Sequence, residues 1–323
     1  MNRRNLLGAG LAGAVAAAGV HAQTASASAI TLVAPFAAGG QIDAAARKYA
    51  RLLSSVLQRP VLVENKPGAG GVLAAQHVLR SKPDGTTLLV TSSSFLIGPH
   101  VYRTAGYSPF VDFSDVSGLY SSSAVLVGSS ASKANSASEF VAQARRDPRK
   151  YSYSTNGTGT FSHLLMEKFM SDAGIELVHV PYKSAPEASQ AVIQNLVEAA
   201  IDTPFSAAPR ARAGQLRALL IFGDAREPTL PGVPTAAEAG YAEAGKLNIL
   251  TGIVASSKTP PDIVARLVQA SSSAVSDPGY GSELRAMGMQ PVTMPVASLR
   301  EAMREQERFF ANVLEKLKIP MTQ

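Results

Sequence analysis

The residues best suited to chemistry in this chain are glycines and hydroxyls rather than nucleophiles. In "YSYSTNGTGTFSHLL" (151–165) a strand-like run passes into Asn156, Gly157, Thr158, Gly159, Thr160 and Ser162, and then a helix begins. Far away in sequence, "LVAPFAAGGQIDAAAR" (32–47) repeats the arrangement with Gly39 and Gly40. A helix start offers N–H groups with no intrahelical acceptor and the positive end of the helix dipole, so a strand–glycine loop–helix passage suits an anion. Neither loop matches G-x-x-x-x-G-K-[ST] or G-x-G-x-x-G, which points away from a nucleotide phosphate. Taken alone, "NGTGTFS" also describes a plain glycine turn. Taken together, the two loops describe a clamp on one small anion such as a carboxylate. Each dipole contributes about 0.3–1 kcal/mol and each hydrogen bond to a charged group about 1.5–3 kcal/mol. Micromolar affinity needs only about 8 kcal/mol net, so no lysine or arginine is required.

Other candidates are single residues. Asp43 sits in the first turn of the first helix, where it either offsets the dipole or positions a ligand. Ser92, in the hydroxyl-rich strand end "TSSS" (91–94), is a candidate cleft wall. Asp202 follows "EAAI" at a strand end, as a cap or a ligand contact, and Tyr182-Lys183 lie near another strand end. A third glycine turn, "ENKPGAGG" (64–71), either borders the cleft or only caps a helix. His77, His100, His163 and His179 show no H-x-H or H-E-x-x-H spacing, although His163 opens the helix after the second loop. No G-x-S-x-G elbow and no paired carboxylates occur, so no metal, cofactor or catalytic residue is assigned.

The bulk numbers frame these sites. The 323 residues, 46% hydrophobic and 17% charged, describe a globular chain with room for two domains. Residues 1–27 open "MNRRNLLGAGLAGAVAAAG", a charged start and a short apolar core, followed by small residues. This is read as an export leader cut between Ala22 and Ala29 by either the general secretory or the twin-arginine route. A periplasmic location follows. Cleavage removes Arg3 and Arg4, so the formal charge falls from +6 to +4. The remaining basic residues are scattered, and no nucleic-acid stripe is seen. With no cysteine, thiol chemistry and disulfides are excluded.

Strand patterns are read at "ITLVAPF", "PVLVEN", "TTLLVTS", "AVLVGSS", "KYSYST", "ELVHVPY", "EAAID", "LRALLIFG" and "NILTGIVAS". Helical patterns alternate with them at 42–57, 71–81, 137–147, 161–172, 186–198, 261–275 and 297–317, which argues for parallel-rich α/β sheets flanked by helices. Two passages, 112–130 and 216–232, read as hinge crossings between lobes. The first lobe is then expected from 28–120 and 225–323 and the second from 121–224, with a cleft between them.

Several stretches, in order, resemble the Bug family of extracytoplasmic solute receptors, which serve tripartite tricarboxylate transporters. They are "LVAPFAAGGQIDAAAR", "PVLVENKPGAGG", "KPDGTTLLVTSS", "YSYSTNGTGTFSHLL", "VHVPYKSAPEA" and "LRALLIFGDAREPTLPGVPTAAEAGY", followed by "SSKTPPDIVARL" and "ELRAMGMQPV". The resemblance implies a type II, Venus-flytrap fold of the periplasmic-binding-protein kind. It also implies a small carboxylate ligand: a di- or tricarboxylate, an acidic amino acid or an aromatic acid. Carried onto this chain, it points to Phe36, Ala37, Ala38, Gly39, Gly40 and Asp43 in one lobe. In the other it points to Asn156, Thr158, Gly159, Ser162 and Asp202. It implies as partners the membrane subunits of such a transporter or a sensor protein, with an enzyme on the same fold the more distant alternative; a monomer is expected. Two departures stand out: the chain has no Trp, and the second-lobe strand ends Asp202-Thr203-Pro204 where the family commonly has Asp-Asn.

Overall fold

The computed structural model describes residues 28–317; the leader read over 1–27 lies outside the described residues. The chain opens with β1 (Ile30–Ala34), α1 (Gln41–Leu57), β2 (Val61–Asn65), α2 (Val72–Arg80), β3 (Thr87–Val90), α3 (Ser93–Val101) and β4 (Phe113–Ser122). It continues with β5 (Ala124–Ser129), α4 (Ala137–Arg146), β6 (Ser152–Thr155), α5 (Phe161–Ala173), β7 (Val178–Pro181) and α6 (Ala185–Ile193). Next come β8 (Ala199–Asp202), α7 (Pro204–Arg212), β9 (Leu216–Phe222) and α8 (Ala242–Gly245). The last elements are β10 (Ile249–Ser256), α9 (Pro261–Val275), α10 (Pro278–Ala286), β11 (Gln290–Pro291) and α11 (Val296–Leu317).

Two mixed sheets result, ordered β11-β4-β10-β3-β1-β2 and β7-β6-β8-β5-β9. Each sheet with its helices forms a lobe. Parallel ladders hold β1 to β2 and β3, and β6 to β7 and β8, where helices make the crossovers. The strands that pass between lobes add antiparallel ladders, β10 with β3 and β4, and β5 with β8 and β9. Only Ser123 separates β4, in the first sheet, from β5, in the second. The division expected at 120/121 therefore falls inside β4, whose Ser121 and Ser122 still pair with Leu250 and Ile249.

The passage after β9 also differs from the expected division. Thr235 bridges to Ile221, Ala236 N–H donates to the Ile221 carbonyl, and Tyr241 packs edge-on against Phe169 of α5. Residues 225–245, expected in the first lobe, thus lie against the second lobe, on the open edge of β9. Two further readings shift. The passage 112–130, expected as a hinge crossing, opens with the full strand β4, in which Ser117 and Ser122 are buried with their hydroxyls bonded to the Gly118 and Gly288 carbonyls. Helix α6 stops at Ile193 rather than 198, two residues before Asn195 takes φ +59°.

Apolar packing explains the layers. Tyr49, Leu53 and Ala46 of α1 and Leu267 and Ala274 of α9 cover one face of the first sheet. Ala191 and Val192 of α6 and Ala207 of α7 do the same for the second. Between the lobes one continuous cluster joins Leu96 and Val101 of α3, Phe310 of α11, and Leu164, Leu165 and Phe169 of α5. Phe161 meets Phe310 edge-on across this junction, with centroids 6.1 Å apart. The lobes therefore touch along α3, α5 and α11 while a cavity stays open beside that contact.

Candidate functional site

Among the described residues, five helices begin at the wall of one cavity of about 420 Å³. They are α1 and α3 from the first lobe and α5, α6 and α7 from the second, all at carboxyl ends of strands, where α/β sheets hold ligands. At α1, α3, α5 and α7 the N-cap residue makes no side-chain cap. Only α6 carries one, with Ser184 accepting from Glu187 N–H. Helix N-termini from both lobes, four of the five without a side-chain cap, thus converge on one space.

Phe36, Ala37, Gly39, Gly40, Asp43, Ser92, Asn156, Ser162 and Asp202 all lie in this wall. Ala38, Thr158 and Gly159 do not. Ala38 is exposed at the tip of its turn. The Thr158 carbonyl accepts from Tyr102 of the opposite lobe, and Gly159 is packed against Val101 and Tyr102. The Gly39 φ of +84° and the Gly157 φ of +127° let both loops turn back towards their helices.

Asp43 organises the first loop. Its Oδ2 accepts from Gly39 N–H (3.0 Å) and Arg47 Nε (3.1 Å), and its Oδ1 accepts from Asn65 Nδ2 (3.0 Å). Asn65 Nδ2 also donates to the Phe36 carbonyl at 2.9 Å, so one side chain pins both ends of the loop. Burial pushes the Asp43 carboxyl up, but the hydrogen bonds from Arg47, Gly39 and Asn65 and the charge of Arg47 hold it below its usual range. With both oxygens engaged, Asp43 positions the loop. Asp43→Ala is expected to lower the free energy of unfolding by about 2 kcal/mol. Urea titration checks this, and an unchanged midpoint would show that these bonds add nothing.

In the second loop Ser162 Oγ donates to Asn156 Oδ1 (2.6 Å) and Thr160 Oγ1 to the Gly157 carbonyl (2.7 Å). Phe161 N–H, in the first turn of α5, reaches Ser94 Oγ of the opposite lobe at 3.1 Å. Behind the loop, Gly159 N–H donates to His163 Nδ1 (3.2 Å), and His163 stacks on His179 with centroids 4.2 Å apart. The hydroxyl of Ser92 is buried in the cavity wall without a hydrogen-bond partner among the described residues. A buried orphan hydroxyl is what a polar ligand or a water would satisfy.

Asp202 is almost completely enclosed. Its Oδ2 accepts from Ser189 (2.6 Å) and Ser206 (2.8 Å), and its Oδ1 from Thr203 N–H (2.7 Å). Burial pushes its carboxyl up, against those hydrogen bonds and the charge of Arg210. Ser93 and Ser94, from the "TSSS" stretch read as a cleft wall, line the cavity beside Ser92, whereas sequence reasoning missed Gln41, Ser184, Thr203, Ser206 and Arg210, all in the wall. Ser184 had a legible signal, the "SAPE" capping box. Arg210 had none, although no arginine is required to hold one carboxylate.

Comparison with known proteins gives a consistent picture. The profile described as "Tripartite tricarboxylate transporter family receptor" matches residues 45–319. The protein BugT of Bordetella pertussis is 32% identical over 321 residues, covering 98% of each chain. Among solved structures, the periplasmic binding protein BugD superposes with a TM-score of 0.86 at 27% identity, covering 91% of this chain and 99% of that one. An R. palustris protein solved with adipate gives a TM-score of 0.86 at 26% identity, over 91% and 98% of the two chains. MatC from Rhodopseudomonas palustris, with bound malate, gives 0.82 at 28% identity, over 88% and 98%.

Proposed function

Since the chain belongs to the tripartite tricarboxylate transporter receptor family, we propose that it is a periplasmic solute receptor that closes on a small carboxylate and presents it to membrane transport subunits. The observation that carries this reading is the convergence of five helix N-termini, from both lobes, on one cavity. A carboxylate there accepts hydrogen bonds from both lobes at once. Contact with both lobes makes affinity higher in the closed state, and only such a difference can drive closure. Adipate and malate in the related structures supply the ligand class by similarity. Export through the leader at 1–27, by the general secretory or twin-arginine route, brings the receptor to its solute. Division into a first lobe with both chain ends and a second lobe between them fits closure about the two strand crossings.

Binding without turnover is the accompanying reading. The titratable groups of the wall are Asp43, Tyr120, Asp202 and Arg210. Both carboxylates already accept several hydrogen bonds, which leaves neither placed as a free base. A bound acid should be recovered unchanged.

A thermal-shift screen of the mature protein against small carboxylates, with sugars and amides as controls, tests the function. A ligand at a hundred times its dissociation constant adds about 2.7 kcal/mol of stability, which a melting curve resolves. Shifts confined to carboxylates are expected; shifts from sugars alone would overturn the anion reading.

A further inference from the structure

We propose that Arg210 sets specificity in this cavity by engaging a second anionic group, so that the ligand class is a dicarboxylate rather than a monocarboxylate. The inference rests on the reading of the cavity as a carboxylate site and goes one step further, to which carboxylates it prefers.

Among the described residues, Arg210 is the one cationic side chain in the wall. Its surroundings divide it sharply from the carboxylate beside it. The side chain of Asp202 is 1% exposed, whereas that of Arg210 is 26% exposed, and the closest approach of the two is 3.8 Å. Asp202 already accepts from Ser189, Ser206 and Thr203. Arg210 uses only Nη1, which donates to the hydroxyl of Ser206 and approaches the Ser206 carbonyl at 3.5 Å. Ser206 therefore links the two: its hydroxyl accepts a hydrogen bond from Arg210 and donates one to Asp202. This link holds the guanidinium by one corner and leaves Nε and Nη2 without a protein acceptor among the described residues. A planar fork with free N–H groups suits a carboxylate approached through both oxygens.

The Arg210 guanidinium reaches back to the first turn of α7, where it meets Ser206 and approaches Asp202. Arg210 lies six residues into α7, about 9 Å along the axis from Pro204, although its side chain leans back towards Ser206 one turn earlier. Much of the wall is apolar, with Phe36, Ile42, Phe161, Ile201, Phe205 and Ile249 contributing. A diacid with a hydrocarbon middle suits a wall that offers helix N-termini, apolar side chains and a single cation. Helix N-termini and hydroxyls suffice for a first carboxylate without arginine; Arg210 serves the second.

The test is a calorimetric titration of the mature protein with matched acids: succinate against butyrate, glutarate against pentanoate, adipate against hexanoate. Wild-type protein is expected to prefer its best diacid over the matched monoacid by about 100-fold, from charge-assisted hydrogen bonds to the second carboxylate. Arg210→Gln should bring that ratio to within about 5-fold by weakening the diacid alone, and Arg210→Lys should keep an intermediate ratio, since ammonium supplies charge without the fork. Equal weakening of diacid and monoacid in Arg210→Gln would reduce Arg210 to a structural role and overturn the proposal. A wild-type ratio near one would overturn it while leaving the receptor reading intact, and no binding of any acid by wild type would overturn both. Melting curves of each variant separate lost folding from lost affinity. Should Arg210→Gln fail to fold, the wild-type ratio and the lysine variant decide.

Discussion

Gly159→Val is expected to weaken carboxylate binding about 100-fold or more while leaving a folded protein. Gly159 has φ +69°, a conformation that costs a residue with a side chain on the order of 1–3 kcal/mol and a β-branched one the upper part of that range. A Cβ there would lie 2.5 Å from Val101 Cγ1 and 3.3 Å from Tyr102 Cε2. Val101 is buried at the end of α3, and its branched side chain has little freedom to move aside. Because α3 belongs to the first lobe and the glycine loop to the second, the clash is relieved most cheaply by parting the lobes. The cost then falls on the closed state, and affinity drops more than overall stability. Displacing the loop also breaks the bond from Tyr102 to the Thr158 carbonyl and the one from Phe161 N–H to Ser94. Titration calorimetry read beside urea unfolding separates the two costs. A valine variant with wild-type affinity would refute the interlobe role of this glycine.

Acid should loosen the same loop from behind. Burial, together with the adjacent His163, pulls the His179 imidazole down to about 4, and burial also lowers His163, partly opposed by the charge of Glu167. A histidine kept neutral in the folded state takes up its proton more readily when unfolded. Its contribution is therefore fully present above about pH 6.5 and is lost as pH falls from there to about 4. For His179 the loss is on the order of 2 kcal/mol once solvent screening of the half-buried ring is allowed for. Local structure shows what yields: His163 Nδ1 accepts from Gly159 N–H and His179 Nε2 lies 2.7 Å from Thr155 Oγ1. Tyr153 stacks on His179 and donates to Glu167 at 2.5 Å, which closes the network around both rings. Asp202 acts with the opposite sign, since its raised carboxyl destabilises the fold as pH climbs past it. A variant series isolates the histidines. His179→Gln should flatten the rise in unfolding free energy between pH 4 and 6.5, and His163→Asn should preserve the acceptor for Gly159 while removing the titration. Slopes against pH identical to wild type in both His179→Gln and His163→Asn would exclude the pair as the source.

Much of the site was legible because its signals are local. Glycines after a strand and before a helix identify the β1–α1 and β6–α5 loops, and Phe36, Asn156 and Ser162 take their places in the wall with them. The less legible parts depend on contacts distant in sequence. Thr158 and Gly159 carry the same local pattern as their neighbours, yet their partners Tyr102 and Val101 turn them to the lobe junction. Helix α3, "SSFLIGPHV", is apolar on nearly every side and contains Pro99, so it has no amphipathic period to read. Helix α7 hides behind Pro204 and Pro209, and with it Ser206 and Arg210. β4 resembles a linker because its serines are polar by type; only the burial of "FSDVSGLYSS" between β10 and β11 makes it a central strand. Ser298 with Glu301 reads as a capping box, but α11 already begins at Val296. Tertiary packing overrides the local signal in each of these cases.

The strand crossing at Ser123 has a consequence for how the molecule assembles. Every strand of the second sheet lies between residues 124 and 222, so that sheet can complete itself from one uninterrupted piece of chain. The first sheet cannot, because β10 separates β4 from β3 and arrives only at residue 249. Joining Ser122 to Ile249 closes a long loop, and the entropy of that closure is smaller if the intervening chain is already compact. On this topology the second lobe is expected to form first and to bring β10 within reach of β4. A chain emerging N-terminus first from a membrane pore would hold β1–β3 waiting, unpaired on one edge, until its last quarter arrives.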